Sequence, residues 1–185
     1  WYTMKLLEAA GMPPGVINFV PGSGPAIGGV AIPDRRLGGV HFTGSTPTFQ
    51  HIWKTVGENI QGYGQYPRLV GETGGKDFVF VHPTACGARE VAVALARGSF
   101  EFQGQKCSAA SRAYVPKSMW PAVSEELTEI VGEMTMGDVA DFSNFLGAVI
   151  DARSFNKLKE VIDRANAEAN VDVIIGGTCD DSEGY

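Results

Sequence analysis

Residues 37–70, LGGVHFTGSTPTFQHIWKTVGENIQGYGQYPRLV, decide the fold class. An apolar run at 37–42 is broken by Thr43, Gly44 and Ser45, the mark of a strand ending in a turn. Residues 46–60 then place Phe49, Ile52, Trp53, Val56 and Ile60 at helical spacing. A second short strand follows at 68–70. Strand, helix and strand in close succession predict a parallel pair with a crossover helix. Toward the N-terminus, residues 1–11 read as a helix stopped by Gly11 and by Pro13 and Pro14. The run VINFV at 16–20, bounded by Gly15 and Pro21, predicts a buried strand, and a weak helix is expected at 26–31. Toward the C-terminus the pattern restarts: strand 77–81, helix 88–102, strand 113–115, helices 119–134 and 152–169, and strand 171–175. Gly71, Gly74 and Gly75 mark the seam between the two halves, which places a domain boundary near residues 71–76. The fold class is therefore α/β.

Composition narrows the function. The 185 residues are 44% apolar, enough to supply a core, and general disorder is excluded. Gly accounts for 24 of them, nearly double the usual share of about 7%, without a collagen period. A net charge of −6 with scattered Lys and Arg argues against a nucleic-acid surface. Apolar runs fall far short of the roughly 18 residues of a membrane span, so no membrane partner is expected. Cys86, Cys107 and Cys179 form no CxxC pair and are odd in number, which speaks against a disulfide framework and for a reducing compartment. His41, His51 and His82 lack ligand spacing with carboxylates, the near-match of His82 with Cys86 notwithstanding, and no metal site is read. The chain opens on Trp1 inside an apolar-periodic segment and closes just after a turn-rich stretch, as an internal piece of a longer protein would.

Three places can carry chemistry. Cys107 lies in Gly104-Gln105-Lys106-Cys107-Ser108, a polar turn after a long apolar helix. A reactive thiolate needs exposure and positive surroundings, which Lys106 and the N–H groups of the turn can supply. A lone cysteine is more often a small buried hydrophobe, and Cys86 and Cys179 keep that reading. Glu72 sits in GETGGK at a strand's carboxyl end, where α/β sheets bind ligands, and can act as a general base. Its plainer alternative is a solvated charge paired with Lys76. Gly44, Ser45, Thr46, Pro47 and Thr48 join a strand to a helix N-terminus, a ready anion site. Ser45 or Thr46 would cap that helix with Pro47 at its first position, and a capped turn without ligand explains the same residues. Gly22, Gly24 and Gly28 do not spell GxGxxG and are read as a turn.

Taken in order, HFTGSTPT, GETGGK and FEFQGQKCSAASR resemble the aldehyde dehydrogenase superfamily, and within it the branch acting on glutamate 5-semialdehyde. The likeness extends through PPGVINFVPG near the start and AVIDARSF and DDSEGY near the end. Glu72 and Cys107 stand 35 residues apart, close to the family's spacing. Phe49 holds the sixth place of GSTPTF, where the wider superfamily commonly has glycine, and the narrower branch shares that phenylalanine.

The resemblance implies an architecture and a chemistry. Residues 1–71 would be the C-terminal part of a Rossmann-like NAD-binding domain, and 72–185 the first part of an α/β catalytic domain with a parallel sheet. Cys107 would be the nucleophile, passing through a hemithioacetal and a thioester, and Glu72 the base for the hydrolytic water. The Cys107 N–H would join the oxyanion hole. Ser108 would bind the substrate's α-carboxylate, and residues 44–48 would meet the NAD pyrophosphate. The implied partners are NAD and L-glutamate 5-semialdehyde, derived from 1-pyrroline-5-carboxylate in proline catabolism. The full-length protein would be a homo-oligomer, cytoplasmic in a bacterium and in the mitochondrial matrix of a eukaryote, and the isolated piece would be inactive. Residue physics alone leaves two alternatives open: a non-redox Cys–Glu acyl-transfer enzyme and a non-enzymatic nucleotide-binding module.

Overall fold

The computed structural model describes residues 1–84 and 87–185, which divide into two units, Trp1–Thr73 and Gly74–Tyr185. Each unit is built on one strand–helix–strand crossover, as the switch from apolar runs to helical spacing requires. The fold is mixed α/β with parallel strand pairs.

In the first unit, α1 (Tyr2–Ala9) and α2 (Gly24–Ala31) precede β1 (Gly39–Gly44), α3 (Thr46–Glu58) and β2 (Arg68–Thr73). β1 and β2 are parallel, with Gly39 opposite Arg68 and Gly44 opposite Thr73. α3 returns the chain between them and buries Ile52 and Val56, four residues apart on one stripe. Trp53, expected on that stripe, is exposed, and Ile60, expected there too, lies exposed beyond the helix end at Glu58. The Tyr63 hydroxyl donates to the Ile32 carbonyl at 2.8 Å, and the Gly64 N–H to Arg35 O at 2.8 Å. These bonds fix the chain's approach to β2, which runs two residues past the boundary expected at 71.

In the second unit, β3 (Asp77–Phe80) and β4 (Ala110–Tyr114) are parallel, with a bulge between Asp77 and Phe78. Between them α4 (Ala88–Phe100) buries Val91, Ala92, Leu95 and Ala96. α5 (Trp120–Gly132) packs Val123, which is wholly buried, into the same core with Val81, Val91 and Leu95. Arg89 of α4 reaches Glu126 of α5 at 2.7 Å. α6 (Ala152–Ala167) begins at Asp151, whose carboxylate accepts from the Ser154 N–H at 2.8 Å.

Two expected strands do not form. Residues 16–20 and 171–175 are irregular, and Val16, Ile17, Phe19, Val20, Val171, Val173 and Ile174 are exposed. β propensity describes a side chain's fit to a pleated surface, and a strand exists only through a neighbour's hydrogen-bond ladder. Among the described residues neither segment has such a neighbour. The apolar 44% is likewise not gathered into a core, since eight hydrophobic side chains are buried among the described residues. The accessible surface is 13805 Å², against about 8,600 Å² for a folded monomer of 19.7 kDa. Surface of that extent, rich in apolar groups, is what other polypeptide covers in stable proteins. No helix among the described residues is long and apolar enough to cross a membrane.

Candidate functional site

The turn at residues 44–48, expected to bind an anion, is assembled by capping. Ser45, in extended conformation, is the N-cap of α3, and its hydroxyl accepts from the Thr48 N–H at 3.3 Å. The same hydroxyl shares a 2.7 Å hydrogen bond with the Thr48 hydroxyl, and Ser45 O receives the Phe49 N–H at 3.1 Å. Thr46 is therefore the first helical residue, and Pro47 takes the second position, one later than expected. Of the four N–H groups that a helix start leaves without an internal partner, Thr48 spends its own on the cap and Pro47 has none. Ser45 and Thr46 retain outward N–H donors at the positive end of a 13-residue helix, and residues 44–48 are all exposed. That donor set fits one phosphate group.

An aromatic stack stands behind this turn. Phe42 and Phe49 are stacked with ring centres 6.0 Å apart, and Trp53 meets Phe49 edge-on at 5.6 Å. The Phe49 ring lies directly over Gly71, where a Cβ would come within 2.6 Å of its Cε2 and closer still to Cζ. Gly44 is similarly covered by the Phe42 ring, 2.6 Å from where a Cβ would stand. Glycine is the residue that fits at both points. Glu72, next after Gly71, is paired with Thr43 of β1 and exposed. It enters no ion pair among the described residues of its unit. Period-two alternation puts Gly71 on the α3 side of the sheet and Glu72 on the other.

The second unit carries Cys107. α4 ends at Phe100, so Phe102, expected to continue its apolar stripe, leaves the helix and is exposed. A single tight turn, Glu101–Gly104, follows. In it Phe102, Gln103 and Gly104 have φ of 54°, 55° and 66°. The left-handed region costs a residue with a Cβ roughly 1–2 kcal/mol, so neighbouring contacts must impose it. The Glu101 carboxylate accepts from the Arg97 guanidinium and, at 2.8 Å, from the Lys106 ammonium. The Gln105 side-chain oxygen accepts from the Ile150 N–H at 3.0 Å, and the Gln105 N–H donates to Phe102 O at 3.0 Å. The hydrogen bond from Lys106, then the charges of Lys106 and Arg97, hold the Glu101 carboxyl below the usual carboxylate range. Lys106 was expected to serve the thiolate, yet its charge is engaged by Glu101.

Cys107 follows in an exposed turn that the Ala109 N–H closes onto Lys106 O at 3.2 Å. Among the described hydrogen bonds its own N–H and the Ser108 hydroxyl have no partner, and both residues face solvent. The backbone of Gly75 runs so close that a Cβ there would stand 3.1 Å from the Cys107 carbonyl oxygen. An exposed thiol beside an uncommitted N–H can add to a carbonyl carbon while its oxygen gains a donor.

The structure thus sets the 44–48 turn at the end of β1 and Glu72 near the end of the adjacent β2 in one unit, and Cys107 with Ser108 and Gly75 in the other. Sequence reasoning missed Glu101, Gln105 and the close approach of Gly75. The four-residue spacing of Arg97 and Glu101 was the available signal for the first. Cys179, expected to be buried, is exposed, and Cys86 lies outside the described residues. The His82 ring is occupied locally with the Thr84 hydroxyl at 2.9 Å. No cluster of three or more potential metal ligands occurs among the described residues.

The sequence pattern of the aldehyde dehydrogenase family matches residues 1–185. The mitochondrial delta-1-pyrroline-5-carboxylate dehydrogenase of Danio rerio is 44% identical over 98% of the chain and 33% of its own length. The corresponding enzyme of Dictyostelium discoideum is 48% identical over the whole chain and 33% of its own. The crystal structure of delta-pyrroline-5-carboxylate dehydrogenase from Mycobacterium tuberculosis superposes with a TM-score of 0.95 at 55% identity, over 100% of this chain and 34% of that one. That enzyme has also been crystallised with NAD. The chain spans about a third of the length of the curated relatives it matches.

Proposed function

The chain belongs to the aldehyde dehydrogenase family, and on that premise we propose that it is part of an NAD-dependent enzyme oxidising L-glutamate 5-semialdehyde to L-glutamate. The observation that carries this reading is likeness along the entire chain to 1-pyrroline-5-carboxylate dehydrogenases, 55% identical in one solved case. Its exposed Cys107 lies in a turn suited to nucleophilic attack. The first unit is the tail of the nucleotide-binding domain and the second the head of the catalytic domain, with Glu72 at the end of the former.

In this account the Cys107 thiolate attacks the aldehyde carbon, forming a carbon–sulfur bond while the carbonyl π electrons pass to oxygen. The Cys107 N–H donates to that oxygen and lowers the barrier to the hemithioacetal. NAD, when bound, accepts the hydride that this carbon must lose to become a thioester. The Ser45 and Thr46 N–H groups hold one of its phosphates. Glu72 takes a proton from water as the water adds to the thioester, and the Cys107 sulfur departs as the leaving group. Ser108 donates to the substrate's α-carboxylate, which selects this aldehyde over unsubstituted ones. The enzyme is a homo-oligomer acting in the mitochondrial matrix of a eukaryote or the cytoplasm of a bacterium, a reading that the mitochondrial naming of the Danio rerio and human relatives supports for eukaryotes.

The test is NADH formation by the full-length protein with glutamate semialdehyde, with and without Cys107→Ala. Turnover in the parent and its loss in the variant are expected. Absence of NADH with the aldehyde, together with Cys107-dependent turnover of an ester or thioester, would replace this reading by non-redox acyl transfer. The isolated 185 residues should reduce no NAD, and substantial turnover by them would contradict the division of the site proposed here.

A further inference from the structure

Granting the role of Cys107 as nucleophile, we propose that Glu101 is a positioning residue for it, clamping the left-handed turn from which the Cys107 loop departs. One oxygen of the Glu101 carboxylate meets Arg97, in the last turn of α4, and the other meets Lys106, at 2.8 Å, immediately before Cys107. Between these anchors the chain passes through Phe102, Gln103 and Gly104, three consecutive residues at positive φ. Phe102 and Gln103 have no preference for that conformation, and the Phe102 ring, 67% exposed, is not packed to enforce it. The turn is therefore held from outside. Glu101 joins it to the helix before it and to the nucleophile's neighbour after it, while Gln105 ties it to the Ile150 N–H.

The carboxylate is the shielded member of the cluster, with a side chain 32% exposed against 63% for Arg97 and 46% for Lys106. Exposed ion pairs contribute little to folding stability. The consequence of the clamp accordingly falls on where the thiol stands. A misplaced nucleophile loses rate in the chemical step and leaves binding intact.

The experiment uses the full-length enzyme with Glu101→Gln, Lys106→Met, their double variant, Lys106→Arg, and Cys107→Ala as reference. Steady-state kcat, KM for aldehyde and for NAD, Cys107 alkylation by iodoacetamide and the unfolding midpoint are read for each. Glu101→Gln and Lys106→Met should each lower kcat about tenfold or more, with both KM values within about twofold and the midpoint unchanged. The alkylation rate should change in both. The double variant should be no slower than the slower single, because both remove one link, and Lys106→Arg should restore kcat. Parental kcat and alkylation in Glu101→Gln, or losses that multiply in the double variant, would overturn the proposal. A fall in midpoint with kcat and KM shifting together would also overturn it, as a purely structural role. If Glu101→Gln fails to fold, the Lys106 pair still decides through its loss and rescue. Retained turnover in Cys107→Ala would instead defeat the nucleophile assignment, whatever the Glu101 variants do.

Discussion

Replacing Gly71 by Ala tests how the aromatic stack supports Glu72. An added Cβ would stand 2.6 Å from Phe49 Cε2, and nearer to Cζ and Cε1. Carbon atoms pack at roughly 3.5–4.0 Å, so ring and strand must separate by about 1 Å. The ring cannot swing aside freely, because Phe42 stacks on it at 6.0 Å and Trp53 meets its edge at 5.6 Å. Leaving those partners forfeits about 0.5–1.5 kcal/mol for each aromatic pair. Retaining them strains β2 at the cost of about 1–3 kcal/mol typical of overpacking. The second route displaces Glu72, one residue on, and a shift near 1 Å in a catalytic group costs on the order of 10²-fold in rate. In the full-length enzyme Gly71→Ala should therefore lower kcat by one to two orders of magnitude, roughly, with a stability loss of about 1–3 kcal/mol. Phe49→Ala should relieve the clash, so Gly71→Ala should cost at least about 1 kcal/mol less in that background. Equal costs with and without Phe49, or no loss in the parent, would refute the reasoning.

Ser45→Ala should lose about 1 kcal/mol with the cap, whereas Ser45→Asp should keep stability yet weaken NAD binding by titration calorimetry, because its carboxylate repels the pyrophosphate. An unchanged NAD affinity in Ser45→Asp would remove the turn from the cofactor site. Asp34 is lowered to about 2, first by the hydrogen bond from the Arg36 side chain and then by the Arg36 N–H. Its folded value lies below its ordinary 3.8, so its contribution is present above that pH and disappears as pH falls toward 2. Asp34→Asn should diverge from the parent in acid-unfolding profiles above about pH 4 and converge with it near pH 2. Parallel profiles throughout would show that the pair contributes nothing.

The crossovers were legible because the apolar period changes twice in each, from strand run to helix and back, around β1–α3–β2 and β3–α4–β4. Residues 16–20 and 171–175 carry equally good strand composition and stay irregular, since pairing belongs to the neighbour as much as to the run. Glu72 and Cys107 stood out physically, one at a strand's carboxyl end and one in a glycine-opened turn. Their choice over a solvated charge and a buried thiol rested on the family resemblance. The positive φ of Phe102 and Gln103 has no sequence mark, because both side chains disfavour it. Lys106 was misjudged for a related reason: its charge is claimed by Glu101 across that same turn. The seat of Phe49 on Gly71 needed three dimensions, although an aromatic residue in the usual glycine place of GSTPTF was a clue.

The central claim is that Cys107 carries the acyl intermediate and Glu72 releases it. Full-length enzyme mixed with NAD and glutamate semialdehyde, quenched in acid and digested with pepsin at low pH, should yield a peptide containing Cys107 that bears a glutamyl thioester. The adduct should accumulate in Glu72→Gln, where deacylation is slowed, and vanish in Cys107→Ser. An adduct on Cys86 or Cys179, or turnover in Glu72→Gln at the parent's rate, would contradict the account.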